Sequence, residues 1–336
     1  MNKLTKVGVS ALCGSLAAVA TAQAGALNVK GGANATYSSN EGDVTGNPIG
    51  MASGVTFTGS GELDNGTTFT LTITGADQAG YSGAQIALTT PSMGTITIDN
   101  SGGGIDRLDD MMPTAWEETD GTSLTTGLVT VSGVKGSSHV EWSLPSDMLP
   151  EGLSAHVAYS PRVSGGKIND KAVGGSAGEG TGGGYDIVLS HNGLMDGLDV
   201  FAGWSSIEQA ATYDGDKTSK VLGATYAINN VTLGYQHSVE ALQTVGAAAV
   251  SYYENDAYGI SFSVNDDLSL SYGVHKSDQA KTNGTSVELE GNSLQIAYSM
   301  GGASLKVAET SVDNSKYATG SANQKDATTV MLSLAF

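Results

Sequence analysis

The stretch Tyr258-Gly259-Ile260-Ser261-Phe262-Ser263-Val264, the turn Asn265-Asp266-Asp267 and the stretch Leu268-Ser269-Leu270-Ser271-Tyr272-Gly273-Val274-His275 decide the fold class. Large apolar side chains occupy every second position, and Ser, Gly or His fills the positions between. Successive side chains of a β-strand point to opposite faces, so this period of two predicts a hairpin with one apolar and one small, polar face. The pattern recurs outward along the chain. Leu294, Ile296 and Tyr298 oppose Gln295 and Ala297, and Met300-Gly301-Gly302 turns into Leu305-Lys306-Val307. Upstream, Phe69, Leu71 and Ile73 alternate with Thr70, Thr72 and Thr74. Ile96 and Ile98 alternate with Thr95, Thr97 and Asp99, and Val231, Leu233 and Tyr235 follow Asn229-Asn230.

Two packed sheets of a soluble sandwich would show the same alternation. A membrane barrel is favoured because the non-apolar face is Ser, Thr, Gly, Asn and Gln with little Lys or Glu, which suits a hydrated lumen. Tyr159, Tyr185, Tyr226, Tyr235, Tyr258 and Tyr298 end apolar faces, as an aromatic girdle requires. Gly makes up 47 of 336 residues, a share that disfavours helices and supplies turns. Short connections at 63–66, 91–94, 192–197, 229–230, 265–267 and 300–302 contrast with long ones at 38–49, 101–136, 163–184, 207–217, 240–256 and 311–325. Counting through gives sixteen strands of an all-β, antiparallel transmembrane barrel, with both ends of the chain on the short-turn side.

The first residues read as a secretory signal. Lys3 and Lys6 precede a small, apolar run at 7–20, and Ala22-Gln23-Ala24 is an A-x-A cleavage site. Leu12 before Cys13 argues against a lipoprotein site. The expected division is a signal peptide at 1–24 and a barrel at 25–336. Removing Lys3 and Lys6 changes the formal charge from −19 to −21 and takes away the single cysteine. Disulfide and thiolate chemistry are thereby excluded from the mature chain. The acidic balance argues against nucleic acid and against docking on an anionic lipid surface. At the other end Val330, Leu332, Leu334 and Phe336 alternate with Met331, Ser333 and Ala335. An apolar strand at the chain's end is an aggregation hazard unless a closed barrel pairs it with the first strand.

With the segments from Ala257-Tyr258-Gly259 through Ser293 to Ala303-Ser304-Leu305, the terminal Phe336, and the hairpin 87–99 with Met93-Gly94 at its turn, the chain resembles the alphaproteobacterial trimeric general porins. The resemblance implies an outer-membrane homotrimer embedded in lipid. It implies that the long loop after the fifth strand, here 101–136, folds inward and narrows the pore. It also implies that Leu332, Leu334 and Phe336 carry a signal read by the barrel-assembly machinery. One departure stands out. The family sets an arginine and lysine cluster on the wall facing the loop, whereas residues 26–90 offer only Lys30 and the whole chain only Arg107 and Arg162.

Asp106, Arg107, Asp109, Asp110, Glu117, Glu118 and Asp120 form the candidate constriction, with Lys30 and Asp99 on the pore wall. Fixed negative charge in a narrow pore attracts cations and repels anions. Two other readings stay open: a Ca²⁺ site at Asp106, Asp109 and Asp110, whose hard oxygens suit that ion, and a solvated outer loop. Met111, Met112, Pro113 and Trp116 favour the inward placement, since so many large apolar groups call for a wall to pack on. His139, His156, His191, His237 and His275 are scattered, although His139 and Glu141 share a strand face. No nucleophile elbow or metal-spaced histidine pair appears, and Gly178-Glu179-Gly180-Thr181-Gly182 resembles a phosphate loop by composition alone. No enzyme activity and no cofactor other than Ca²⁺ is implied. The expected function is passive diffusion of small hydrophilic solutes and ions with a preference for cations. The alternative is a barrel specific for a sugar, amino acid or phosphate.

Overall fold

The computed structural model describes residues 25–41, 47–77, 80–119, 124, 126–163 and 181–335. The expected signal peptide, Asp120 and Phe336 lie outside the described residues. Sixteen strands follow in order: β1 (Leu27–Glu41), β2 (Ile49–Glu62), β3 (Thr68–Ala76), β4 (Gly80–Thr90), β5 (Gly94–Asp99), β6 (His139–Ser143), β7 (Leu153–Ser160) and β8 (Thr181–His191). The second half comprises β9 (Leu198–Gln209), β10 (Lys217–Ile228), β11 (Val231–Ala241), β12 (Val250–Ser263), β13 (Leu268–Lys281), β14 (Ser286–Met300), β15 (Ala303–Asp313) and β16 (Lys325–Ala335). Each strand pairs antiparallel with its neighbours in sequence, and β1 pairs with β16 from Gly32↔Ala335 to Glu41↔Asp326, so the sheet is a closed barrel. Closure leaves no edge whose amides would face hydrocarbon.

The alternation sorts the side chains inside out relative to a soluble protein. On β14, Leu294 is 54% exposed and Ile296 43%, while Ser293 and Gln295 between them are 1% exposed. Apolar groups with no protein cover on a closed sheet suit a lipid belt. Tyr235 and Tyr258 stack across β11 and β12 with ring centroids 5.1 Å apart, and Tyr185 meets Trp204 edge-on at 5.2 Å across β8 and β9. Both pairs lie on the outward face with Leu233, Ile260 and Ile187.

Three features differ from the sequence expectation. A turn at 144–152, with a 3-10 helix at Ser146–Met148, joins β6 to β7 and adds to the short-turn rim. The opposite rim also holds brief connections, between Ala76 and Gly80 and between Lys281 and Ser286. Strands run from five residues in β6 to fifteen in β1 and β14, because the chain leaves the wall early where its longest connection, 100–138, begins and ends.

Candidate functional site

The described residues of connection 100–138 lie inside the barrel as a strap along one wall. Its departure is held by Asp99, the last residue of β5. The Ser101 amide donates to Asp99 Oδ1 at 2.7 Å, the Ser101 hydroxyl at 2.9 Å, and Gln85 Nε2 donates to Oδ2 at 2.8 Å. Asp99, expected as a wall charge, is therefore buried and spent on fixing the turn. A 3-10 helix follows at Gly104–Leu108. Gly104 has φ +59, and a Cβ there would fall 2.0 Å from Asp186 Oδ2, so only glycine lets the backbone approach this carboxylate.

Asp186 on β8 clasps the strap at both ends. Its Oδ2 accepts from the Ile105 amide at 2.9 Å and from the Val134 amide at 3.1 Å. Beside it on β6, Glu141 accepts from the Gly104 amide at 2.8 Å and pairs with Arg107. Between these anchors Ile105, Leu108 and Val131 pack on Val188, Phe201 and Val221, which face inward from β8, β9 and β10. Burial of this kind stabilises by about 25 cal/mol per Å² of apolar surface removed from water, and here it fastens the strap to the wall.

Further on, two wall glutamines read the strap's backbone. Gln236 on β11 donates to the carbonyls of Leu108 and Asp109 at 3.0 and 2.9 Å and accepts from the Met111 amide at 3.1 Å. Gln295 on β14 accepts from the amides of Trp116 and Glu117 at 3.1 and 3.2 Å and donates to the Glu117 carbonyl at 2.9 Å. The Ala115 amide donates to Ser271 on β13, and Asn255 on β12 donates to the Val129 carbonyl. Near its return the strap meets a second cluster, in which Leu124 packs with Leu289, Val312, Tyr317 and Ala327.

Beyond the departure at Asp99, the strap's side-chain anchors run from β6 to β14, its return also touches Tyr317 and Lys325, and across the lumen lie β1–β5. There the inward positions include Lys30, Thr56, Thr58, Thr70, Thr72, Thr74, Thr95 and Thr97, a bank of short neutral hydroxyls with one cation. Lys306 on β15, missed in the sequence reading, is another inward cation, with Nζ 6.0 Å from the Trp116 ring centroid.

The predicted carboxylates are strung along the strap and do not converge. Asp106 pairs with Lys135 at 2.7 Å. Burial pushes the Asp106 carboxyl above the ordinary carboxylate range, with Asp109 and Asp186 adding to the push against Lys135. Burial would lower the Lys135 ammonium, but its bond to Asp106 and the charges of Asp109 and Glu118 outweigh that and raise it. Asp109 Oδ1 accepts from the Asp110 amide and Asp110 Oδ1 from the Met112 amide, both at 2.8 Å. Glu118 is exposed, and Asp120 is outside the described residues. Among the described residues no group of three acidic, histidine or cysteine ligands suited to a metal ion is found.

The model of the Gram-negative porin family matches residues 8–288. The chain belongs to this family. As a porin it is a channel of the outer membrane, and solved structures bear the same architecture. It is similar to OmpF of Salmonella typhi in complex with daunomycin, at 17% identity and TM-score 0.71 over 92% of this chain and 97% of that one. The anion-selective porin from Comamonas acidovorans is 13% identical with TM-score 0.67 over 93% of this chain and 100% of that one. The trimer form of OmpT from Vibrio cholerae is 13% identical with TM-score 0.66 over 93% and 99%. No curated protein matches by sequence.

Proposed function

We propose that this porin passes small hydrophilic solutes and ions by passive diffusion, that strap 100–138 narrows its lumen, and that the pore prefers cations. The observation that carries the reading is the imbalance of charge across the lumen. The described strap bears Asp106, Asp109, Asp110, Glu117 and Glu118 against Arg107 and Lys135, and those two cations are engaged with Glu141 and Asp106. The facing bank, residues 26–90, contributes only Lys30 as a cation. At about 5 Å and an effective dielectric near 40, one carboxylate changes a passing ion's energy by roughly 1.7 kcal/mol. A water-filled lumen removes the cost of taking charge through hydrocarbon, so permeation requires no covalent chemistry.

The similar porin from Comamonas acidovorans is described as anion-selective, so the fold leaves the sign of selectivity to the lumen's charges. Similarity to the trimer form of OmpT supports a homotrimer. The outward alternation of Leu332 and Leu334, with Phe336 next in the apolar period of the sequence, supports a terminal signal for the assembly machinery.

Reversal potentials in planar bilayers under a salt gradient test the selectivity. We expect cations to be favoured severalfold, and more so in dilute salt as the Debye length grows beyond about 10 Å. The Asp109→Asn, Asp110→Asn, Glu117→Gln variant should move the zero-current potential towards zero. Anion preference in the unmodified protein, or no change in the variant, would overturn the reading.

A further inference from the structure

Four glycines on the inner wall lie directly beneath the strap. On β11 and β12, Gly234 and Gly259 are register partners, and Gly259 pairs in turn with Gly273 on β13. A Cβ on Gly234 would meet Pro113 Cδ at 2.5 Å and Met112 Sδ at 3.1 Å. On Gly259 it would meet Pro113 Cδ at 2.9 Å, Met112 Cβ at 3.0 Å and the Pro113 backbone nitrogen at 3.2 Å. On Gly273 it would lie 2.2 Å from Thr119 Oγ1, and on Gly203 of β9 it would lie 2.8 Å from Ile105 Cγ1 and 3.1 Å from Leu108 Cδ1. Gly291, also inward on β14, has nothing within 4 Å of its ideal Cβ.

We propose that these glycines form a trough that sets the pore's aperture, by seating the strap one atom deeper against β9–β13 than any other residue would permit. The proposal rests on the reading of the strap as a constriction. Its physical basis is contact distance. Carbon atoms rest at about 3.5–4.0 Å, so a methyl group on Gly234 or Gly259 must displace Met112 and Pro113 by about 1 Å. Proline gives little ground, because its ring locks φ and Cδ is bonded to its own backbone nitrogen. The one open direction is across the lumen, towards the threonines of β2 and β3. Gln236 and Gln295, which hold backbone groups on either side of Met112-Pro113, limit how far the strap can peel away. Larger wall side chains therefore make a narrower pore, and residues that never touch the permeating solute determine its size limit.

Single-channel conductance of the assembled protein in planar bilayers provides the test, with sugar-driven swelling of proteoliposomes as a second measure. The Gly234→Ala, Gly259→Ala variant should conduct less than the unmodified protein and exclude larger sugars more strongly than small ones. Gly291→Ala should conduct like the unmodified protein. Adding Pro113→Gly to the double variant, which removes the closest opposing atom, should restore part of the loss. Where the double variant assembles poorly, Gly273→Ala and its relief by Thr119→Ala measure the same effect at a single side-chain contact. Unchanged or increased conductance in the glycine variants, or an equal loss in Gly291→Ala, would overturn the proposal. An unmodified protein that forms no conducting pore would instead overturn the reading on which it rests.

Discussion

Asp186 concentrates much of the strap's attachment in one carboxylate. It accepts the amides of Ile105 and Val134 at the strap's two ends, and an unsatisfied buried amide costs about 1–3 kcal/mol. Asp186→Ala orphans both amides. We expect residues 105 and 134 to lose hydrogen-exchange protection and the strap to become open to proteolysis, while the barrel's heat dissociation hardly moves. Asp186→Asn keeps a carbonyl acceptor and should fall between. Protection at both amides unchanged in Asp186→Ala would show that apolar packing alone holds the strap. A sequence signal for this wall exists in the strand Tyr185-Asp186-Ile187-Val188-Leu189, where Val188 breaks the polar face. Phe201 and Val221 repeat the anomaly, with apolar neighbours Ala202 and Leu222 on the other face. Apolar residues on both faces mark wall that is covered on both sides. The partners themselves were not legible, because Ile105 and Asp186 meet only through the register of strands far apart in the chain.

At the scale of the element, hairpins such as β12–β13 were readable because each face repeats one class of side chain over its full length. β6, with five residues, and the turn 144–152 were not, since so short a strand shows barely two periods. The strap was legible in outline from Met111, Met112, Pro113 and Trp116, yet its bounds and seat depend on wall residues that no local pattern identifies. β16 belongs to the legible class, and its outward side carries Val330, Leu332 and Leu334. Leu332 lies opposite Leu305 on β15 and Ala35 on β1, so Leu332→Asp places a carboxylate on the lipid face. Such charges cost about 1–2 kcal/mol depending on depth. We expect a lower folded fraction on refolding into vesicles, read from the heat-dependent shift in gel mobility. Ser333→Asp, on the inward side, should refold like the unmodified protein, and equal losses in the two would remove the assignment of faces.

For the whole molecule, the proposed homotrimer predicts that protein extracted in mild detergent migrates as one oligomer and dissociates on heating to a single smaller band, with a β-dominated circular dichroism spectrum throughout. Light scattering of the unheated sample at the mass of one chain would exclude the trimer and leave the barrel intact. The pairing of β1 with β16 has a further, kinetic consequence. Every other ladder joins strands adjacent in sequence, but this one brings Gly32 to Ala335. Chain-closure entropy grows as (3/2)RT ln n, so this seam costs about 3–4 kcal/mol more than a tight hairpin. That deficit is offset by the ten register pairs of the seam, which leave no strand border facing hydrocarbon. We expect this seam to be the last ladder to close, with an open, curled sheet bearing two unsatisfied borders preceding it.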